Sequence, residues 1–376
     1  LIIIMAKINT RSPYFLTYVD EDITSAVLDL YIYTGNESLT MDSVMYSLET
    51  EAFNGSVSFE ISQLISDHLE VTFNGNFGSN VVWLNYQVTK TIGNSVSTAE
   101  DVVTLPVFNG YGYFEDGAKP QLSSRVLQSN NTIYAYDNNV FRLAIQQDNL
   151  DYVELMFQGN VVGSRANFTT TSDSDDVIRY VSYTSPKKCL STVNYLFENR
   201  DNYLFQDANN YIFDDTLEVD AIKVTYTDAS SEIINIKTIS ESKHTPYRLT
   251  FINKFGALQS VWMFKRSDVS MSVESESYRS FLYNGSSYDT SEHQYKNYNV
   301  SARETISLNS GFYTEDYNEV FRQLLLSERV WIDYKQQILP VNIKSKELSF
   351  KTQVNDKLID YKIDFEFAFD KINSVF

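Results

Sequence analysis

Asp360-Tyr361-Lys362-Ile363-Asp364-Phe365-Glu366-Phe367-Ala368-Phe369 places an aromatic or aliphatic side chain at every second position. Tyr361, Ile363, Phe365, Phe367 and Phe369 alternate with Asp360, Lys362, Asp364 and Glu366. Side chains of an extended chain point to opposite faces with a period of two, so the apolar residues share one face and the charges the other. The stretch predicts a long strand to Phe369 with one wet face. The same alternation recurs in Leu28-Asp29-Leu30-Tyr31-Ile32 and Ile222-Lys223-Val224-Thr225-Tyr226. Val81-Val82-Trp83-Leu84 is apolar throughout, which suits a strand covered on both faces.

Composition points the same way. The chain has 376 residues, 27 of them Tyr and 24 Phe, and such side chains favour a pleated, half-buried surface. Asn54-Gly55, Asn74-Gly75, Asn109-Gly110 and Asn284-Gly285, with Asp116-Gly117, supply residues that tolerate positive φ and predict hairpin turns. Helical patterns are few. Ile61, Leu64, Ile65 and Leu69 recur at helical spacing over a short segment. After Thr314, a candidate N-cap, Glu315 and Asp316 suit a helix N-terminus, and Tyr317, Val320, Phe321, Leu324 and Leu325 form a stripe. Val330-Trp331-Ile332 then reads as a strand. The expected fold class is all-β, mainly antiparallel β-sandwich domains, with one or two short helices, the clearest near 315–328.

The length calls for two or three domains. Turn-rich Gly110 to Pro120 and the polar break from Glu241 to Pro246 divide the chain into three parts. These are an N-terminal β-sandwich-like domain over 1–110 and a middle β domain over 111–240. The middle part carries a long polar excursion from Asn199 to Asp215. A C-terminal β domain with one helix follows over 241–376, expected to be the assembly domain.

Charge is unevenly placed. The formal net charge is −19, and residues 1–240 carry 13 Lys and Arg against 31 Asp and Glu, whereas 241–376 carry 17 against 18. Such an acidic surface repels phosphate, so direct nucleic-acid binding is not expected. The near-neutral last third is expected to pack against other subunits, with the acidic front more exposed. The single cysteine, Cys189, excludes an intramolecular disulfide framework and a Cys-based zinc site. Leu1 to Ile4 form a short apolar run without a basic residue before it, and Met5-Ala6-Lys7 reads as an ordinary protein start. Neither a signal peptide nor a bilayer-spanning run is expected, which predicts a soluble chain made in a cytoplasm.

No catalytic signature emerges. His68, His244 and His293 show no local pairing, and no nucleophile elbow, P-loop, dinucleotide fingerprint or zinc-protease helix occurs. Asp173, Asp175 and Asp176 lie in a Ser/Thr/Asp-rich stretch that reads as a solvated loop and lacks the Gly and terminal Glu of an EF-hand loop. Asp20-Glu21-Asp22 and Asp214-Asp215 read the same way, so no carboxylate pair stands out for glycoside hydrolysis. Tyr111, Tyr113 and Phe114 could stack on sugars, but packing at a domain edge is the favoured reading. The Asn-x-Ser/Thr triplets at Asn36 and Asn167 carry no meaning without secretion. Catalytic, cofactor and metal residues are therefore all expected to be absent.

Four stretches carry a resemblance: Met5-Ala6-Lys7-Ile8-Asn9 leading into Arg11-Ser12-Pro13-Tyr14-Phe15; Phe59 to Ile65; Tyr247 to Gly256, where Asn253-Lys254-Phe255-Gly256 reads as a tight turn, with a second apolar strand to Phe264; and Leu325 through Val330-Trp331-Ile332 and Leu339-Pro340-Val341 to Phe369. In these the chain resembles the tail and baseplate structural proteins of tailed bacteriophages, particularly those infecting Bacteroidetes-type hosts. The resemblance implies a β-rich virion component of tail, baseplate or neck, without enzymatic activity. It also implies several copies assembled in the host cytoplasm with neighbouring virion proteins. The alternative expectation is a receptor- or carbohydrate-binding module at a tail tip.

Overall fold

The computed structural model describes residues 7–372, apart from 39, 41–42, 79, 94, 97–98, 121–123, 137–139, 147–149, 164–168, 173–176, 184–188, 191–215, 218, 284, 346 and 352–356. The chain is all-β, with several mainly antiparallel sheets and, among the described residues, two short α-helices, α1 (Ser62–Ser66) and α2 (Asn318–Leu326). It divides into two compact units. One comprises Leu1–Ser240, Phe251–Val261 and Glu319–Leu324; the other comprises Glu241–Thr250, Trp262–Asn318 and Leu325–Phe376. The division at Ser240 falls beside the polar break, while Gly110 to Pro120 lies inside the first unit.

Two buried clusters organise the first unit. In the sheet nearest the N-terminus, Val81–Ile92 lies between Ile23–Tyr33 and Val103–Phe108, and Val81 to Asn85 are buried. The apolar run thus makes a central strand. Ala26, Leu28, Leu30 and Ile32 point from Ile23–Tyr33 into a core completed by Leu16, Val57, Phe59, Ile61 and Ile65. Burying each such aliphatic side chain contributes roughly 1.5–3 kcal/mol. The second cluster is a sandwich: Phe141, Leu143, Ile145 and Val181 of one sheet meet Val153, Leu155, Ile222, Val224, Ile234 and Ile236 of another.

The Asn-Gly signals are only partly hairpins. Asn54 (φ 51) and Gly55 (φ 71) form a two-residue turn across which Phe53 and Ser56 exchange backbone hydrogen bonds of 2.8 and 3.1 Å. The turn does not join partners of one sheet. Tyr46–Glu51 pairs with Ile23–Tyr33, and Ser56–Glu60 pairs with Phe15–Val19, so the chain changes sheet there. Asn74-Gly75 and Asn109-Gly110 sit in loops, Asp116-Gly117 closes a 3₁₀ turn over Phe114–Asp116, and Asn284 lies outside the described residues.

In the second unit Val330–Tyr334, Gln337–Ile343, Lys362–Phe367, Tyr295–Asn309 and Ser267–Arg279 form consecutive antiparallel strands. Tyr361, Ile363, Phe365 and Phe367 are buried, as their alternation predicts. The strand nevertheless ends at Phe367 rather than Phe369. Ala368 N–H donates to Pro340 O (3.0 Å), the chain turns, and Lys371 N–H donates to Ala302 O (2.7 Å). Phe369 is therefore left 42% exposed beside the Phe367 ring. The helix expected near 315–328 begins as a 3₁₀ turn, Glu315–Tyr317, with Thr314 extended at its N-cap, and continues as α2. Tyr317, Val320, Phe321 and Leu324 are buried and Leu325 half-buried. Gln323 is fully buried among them.

Candidate assembly interface

Among the described residues, those weighed for chemistry form no metal-binding cluster. His68 Nε2 shares a 2.8 Å hydrogen bond with the Tyr46 hydroxyl, His244 is half-buried, and His293 is exposed on another loop. Asp20 caps its own turn, its carboxylate accepting the Asp22 N–H at 3.0 Å. Asn167, Asp173, Asp175, Asp176, Asp214, Asp215 and the 199–215 excursion lie outside the described residues, apart from which Cys189 sits in a two-residue strand paired with Thr216–Leu217. Among the described residues no group of three His, Cys, Asp or Glu is placed to hold a metal, and no helix is long and apolar enough to cross a membrane.

The Tyr111 to Phe114 aromatics are mostly structural. Tyr111 is buried, with the Arg11 guanidinium 4.8 Å above its ring, and burial pushes its phenol up to about 12. Tyr113 donates to Glu319 at 2.6 Å and also lies under Lys254. Burial, then that carboxylate, raises its pKa well beyond the ordinary value. Only Phe114, 99% exposed, remains available for stacking.

The distinctive surface is instead an antiparallel arm built from Ser267–Arg279 and Tyr295–Asn309. Its root is anchored. Ile306 pairs with Phe365 and Leu308 with Ile363, all four fully or almost fully buried, and the Ser307 hydroxyl donates to the Asp364 carboxylate. Beyond Thr305 the pairing with Lys362–Phe367 stops, so Tyr295 to Glu304 are paired only with Ser267–Arg279 among the described strands. At about 3.4 Å per residue this is roughly 30 Å of two-stranded ribbon. Such a ribbon is at best marginally stable without further cover.

Its sequence keeps the strand period. Val269, Met271 and Val273 alternate with Asp268, Ser270, Ser272 and Glu274. Val269 lies opposite Ile306, which lies opposite Phe365, so the apolar row continues the face that is core at the root. Along the arm the described residues cover that row only in part: Val269, Met271 and Val273 are 50%, 57% and 54% exposed. Between Glu274 and Glu276 the register shifts, with Asn299 at φ 50, and a bulge of this kind bends a strand pair. Past it Tyr278 and Tyr298 meet edge to face at 5.8 Å. The Glu276 carboxylate accepts from the Tyr298 phenol and raises its pKa. Phe281 (83% exposed), Tyr283 and Tyr288 then crowd the tip, where Asp289 accepts from the Ser291 N–H and hydroxyl.

Charges stand on both faces of the arm. Arg266 holds Asp268 through two bonds of 2.9 and 3.1 Å, Arg303 holds Asp370 at 2.9 Å, and Lys371 holds Glu304 at 3.0 Å. Ser272, Glu274, Ser301, Arg303, Lys344 and Glu366 line an open polar groove on the opposite face. An exposed strand edge beside an apolar row can accept another strand by backbone pairing, with the side chains giving specificity. The sequence reading missed this arm although its signal, the alternation over 268–274, is present.

No protein-family model matches the chain, and no curated protein matches it. Among solved structures, an I-band fragment of titin aligns over 79% of this chain and 93% of its own length, at 9% identity and a TM-score of 0.16. A likeness at that score carries no argument about fold or function.

Proposed function

We propose that this protein is a virion structural protein, a tail or baseplate component of a tailed phage. It assembles with other copies and with neighbouring virion proteins through its sheet edges and faces. The observation that carries the reading is the arm: a long ribbon whose apolar row, Val269, Met271 and Val273, continues a core face yet stands about half exposed among the described residues. A free monomer gains little by maintaining such a surface, whereas an assembly subunit buries it. The resemblance in the Tyr247 to Gly256 turn and the closing strand supports the same reading, as does the near-neutral charge of 241–376. Catalysis has no part in it, and the location is the particle, built in the host cytoplasm. Mass spectrometry of purified particles is expected to detect the chain. A variant with Ser270 to Arg303 replaced by a short turn is expected to fold but stay out of particles. Particles lacking the wild-type chain would refute the proposal.

A second reading has its own observation. Phe281, Tyr283 and Tyr288 are exposed together at the arm tip, and flat aromatic faces suit sugar rings. A receptor- or carbohydrate-binding module would then use the tip rather than Tyr111 to Phe114. A glycan array separates the readings: binding lost on Phe281→Ala favours the module, and no binding above background removes it.

A further inference from the structure

The outer arm strand reads nearly the same in both directions. Ser267-Asp268-Val269-Ser270-Met271-Ser272-Val273-Glu274-Ser275 is a palindrome about Met271, with Asp268 and Glu274 as the equivalent acids. Among the described residues this strand ends its sheet, pairing only with Tyr295–Asn309 and leaving its other edge open along 13 residues. A two-fold interface must be self-complementary: if residue i meets j, then j meets i. In a palindromic edge strand such an axis sets each residue opposite its own kind, so apolar meets apolar along the row.

We propose that the outer arm strand pairs antiparallel with the same strand of a second copy of this chain, about a two-fold axis at Met271. The inference rests on the arm being an assembly surface and adds its occupant and register. In this register Val269 faces Val273 of the second copy, Met271 faces Met271, and Ser270 faces Ser272. Six apolar side chains then form one row on the face that is core at the arm root. Arg266 comes opposite Glu276 of the second copy, an opposite-charge pair repeated by symmetry. The register also sets Asp268 opposite Glu274 of the second copy, a like-charge pair. Arg266 already neutralises Asp268 at 2.9 Å, so each repulsion sits beside a cation. Moving the axis one residue, to Ser272, sets Val269 against Ser275 and Asp268 against Glu276, which breaks the apolar row. Of these registers, the axis at Met271 is the one that sets all six apolar side chains opposite one another.

The full chain with Cys189→Ser supplies a background free of native thiols. In it, Met271→Cys is expected to oxidise to a disulfide-linked dimer, because opposed Cα atoms of an antiparallel pair lie about 4.5–5.5 Å apart, within disulfide range. Val273→Cys alone is expected to stay unlinked, since its own counterpart lies four residues along the neighbouring strand, roughly 13 Å away. The double variant Val269→Cys with Val273→Cys is expected to link. Light scattering of the wild type is expected to reach twice the 43.3 kDa chain mass as concentration rises, and Met271→Lys to keep it monomeric. Equal linking at 271 and 273, or a wild type monomeric at every concentration, would overturn the register or the pairing. If Met271→Cys fails to link while arm removal still keeps the chain out of particles, the self-pairing falls and the assembly reading survives. Dimers formed by a chain absent from particles give the opposite result.

Discussion

Two strands of the second unit follow the same rule and reach opposite ends. Lys362–Phe367 and the outer arm strand Ser267–Arg279 both alternate apolar and polar residues, and both belong to one antiparallel sheet. In the first, Ile363, Phe365 and Phe367 are buried. In the second, Val269, Met271 and Val273 stand about half exposed on the continuation of the same face. The polar partners differ little. What differs is cover by the described residues, full at the root and partial along the arm. Alternation thus reports that one face of a strand is apolar, and leaves open whether the same chain or another molecule covers it.

The sharpest way to break this comparison is to truncate both faces. Phe365→Ala empties a fully buried site and is expected to destabilise the protein by about 3–5 kcal/mol, read by urea unfolding. Met271→Ala, made on the open row, is expected to shift stability by no more than about 0.5 kcal/mol in the monomer. A large loss from Met271→Ala at low protein concentration would mean that the arm's row is covered within its own chain. The next effect lies where the chain leaves the arm. Gly311 has φ 75, and an added Cβ would sit 2.3 Å from Phe264 Cε2, so both backbone and ring oppose a side chain. Gly311→Ala is expected to cost roughly 1–3 kcal/mol by thermal or urea melting. An unchanged midpoint would show that the root can move and is no fixed anchor.

The legible part of the fold was that in which local pattern and burial coincide. Tyr361 to Phe367, Val81 to Leu84 and the stripe from Tyr317 to Leu324 each announce their element, because the chain itself buries the apolar face. Asn54-Gly55 was legible as a turn but not as a change of sheet, since the dipeptide fixes φ at two residues and says nothing about which strands pair. Gln323 was illegible. A polar residue on a helix reads as exposed, yet its side-chain oxygen accepts from the Ser129 hydroxyl and the Lys254 N–H. Its amide nitrogen donates to Glu319 at 2.7 Å. Two of these partners, Ser129 and Lys254, lie far away in sequence. The candidate interface was half legible: the 268–274 alternation marks a strand with an apolar face, while its exposure depends on the tertiary structure alone.

A smaller effect contrasts polar side chains at root and arm. Ser307 donates to Asp364 beneath the arm, whereas Ser272 on the arm is exposed to solvent. Ser307→Ala is expected to cost about 1 kcal/mol, because a hydrogen bond to a carboxylate is lost in a partly buried place. Ser272→Ala is expected to stay near zero. Equal losses in a denaturant titration would erase the distinction between a supported and an unsupported part of the ribbon.

The faintest test is electrostatic and separates long-range from local bonds. Glu241 accepts from Lys265, 24 residues away and one residue before Arg266, at 2.5 Å, and from the Lys243 N–H at 2.8 Å. Lys265 first, then the backbone donors, hold its carboxyl at about 2 instead of about 4.5. The folded pKa lies below the unfolded one, so the fold favours the carboxylate. The stability it lends is fully present above about pH 4.5 and drains away as the pH falls toward 2. Asp289 is also held low, but by Ser291, two residues on, in a turn at the arm tip. A contact that local survives in an unfolded chain as readily as in a folded one, so protonating it leaves global stability nearly unchanged. The midpoint of thermal unfolding is expected to drop between pH 5 and pH 2.5 by slightly less in Lys265→Met than in the wild type, and equally in Asp289→Asn and the wild type. A pH profile unaltered by Lys265→Met would show that the long-range pair lends the root nothing. A profile flattened by Asp289→Asn would show that the arm tip unfolds together with the core, which the exposure of the ribbon argues against.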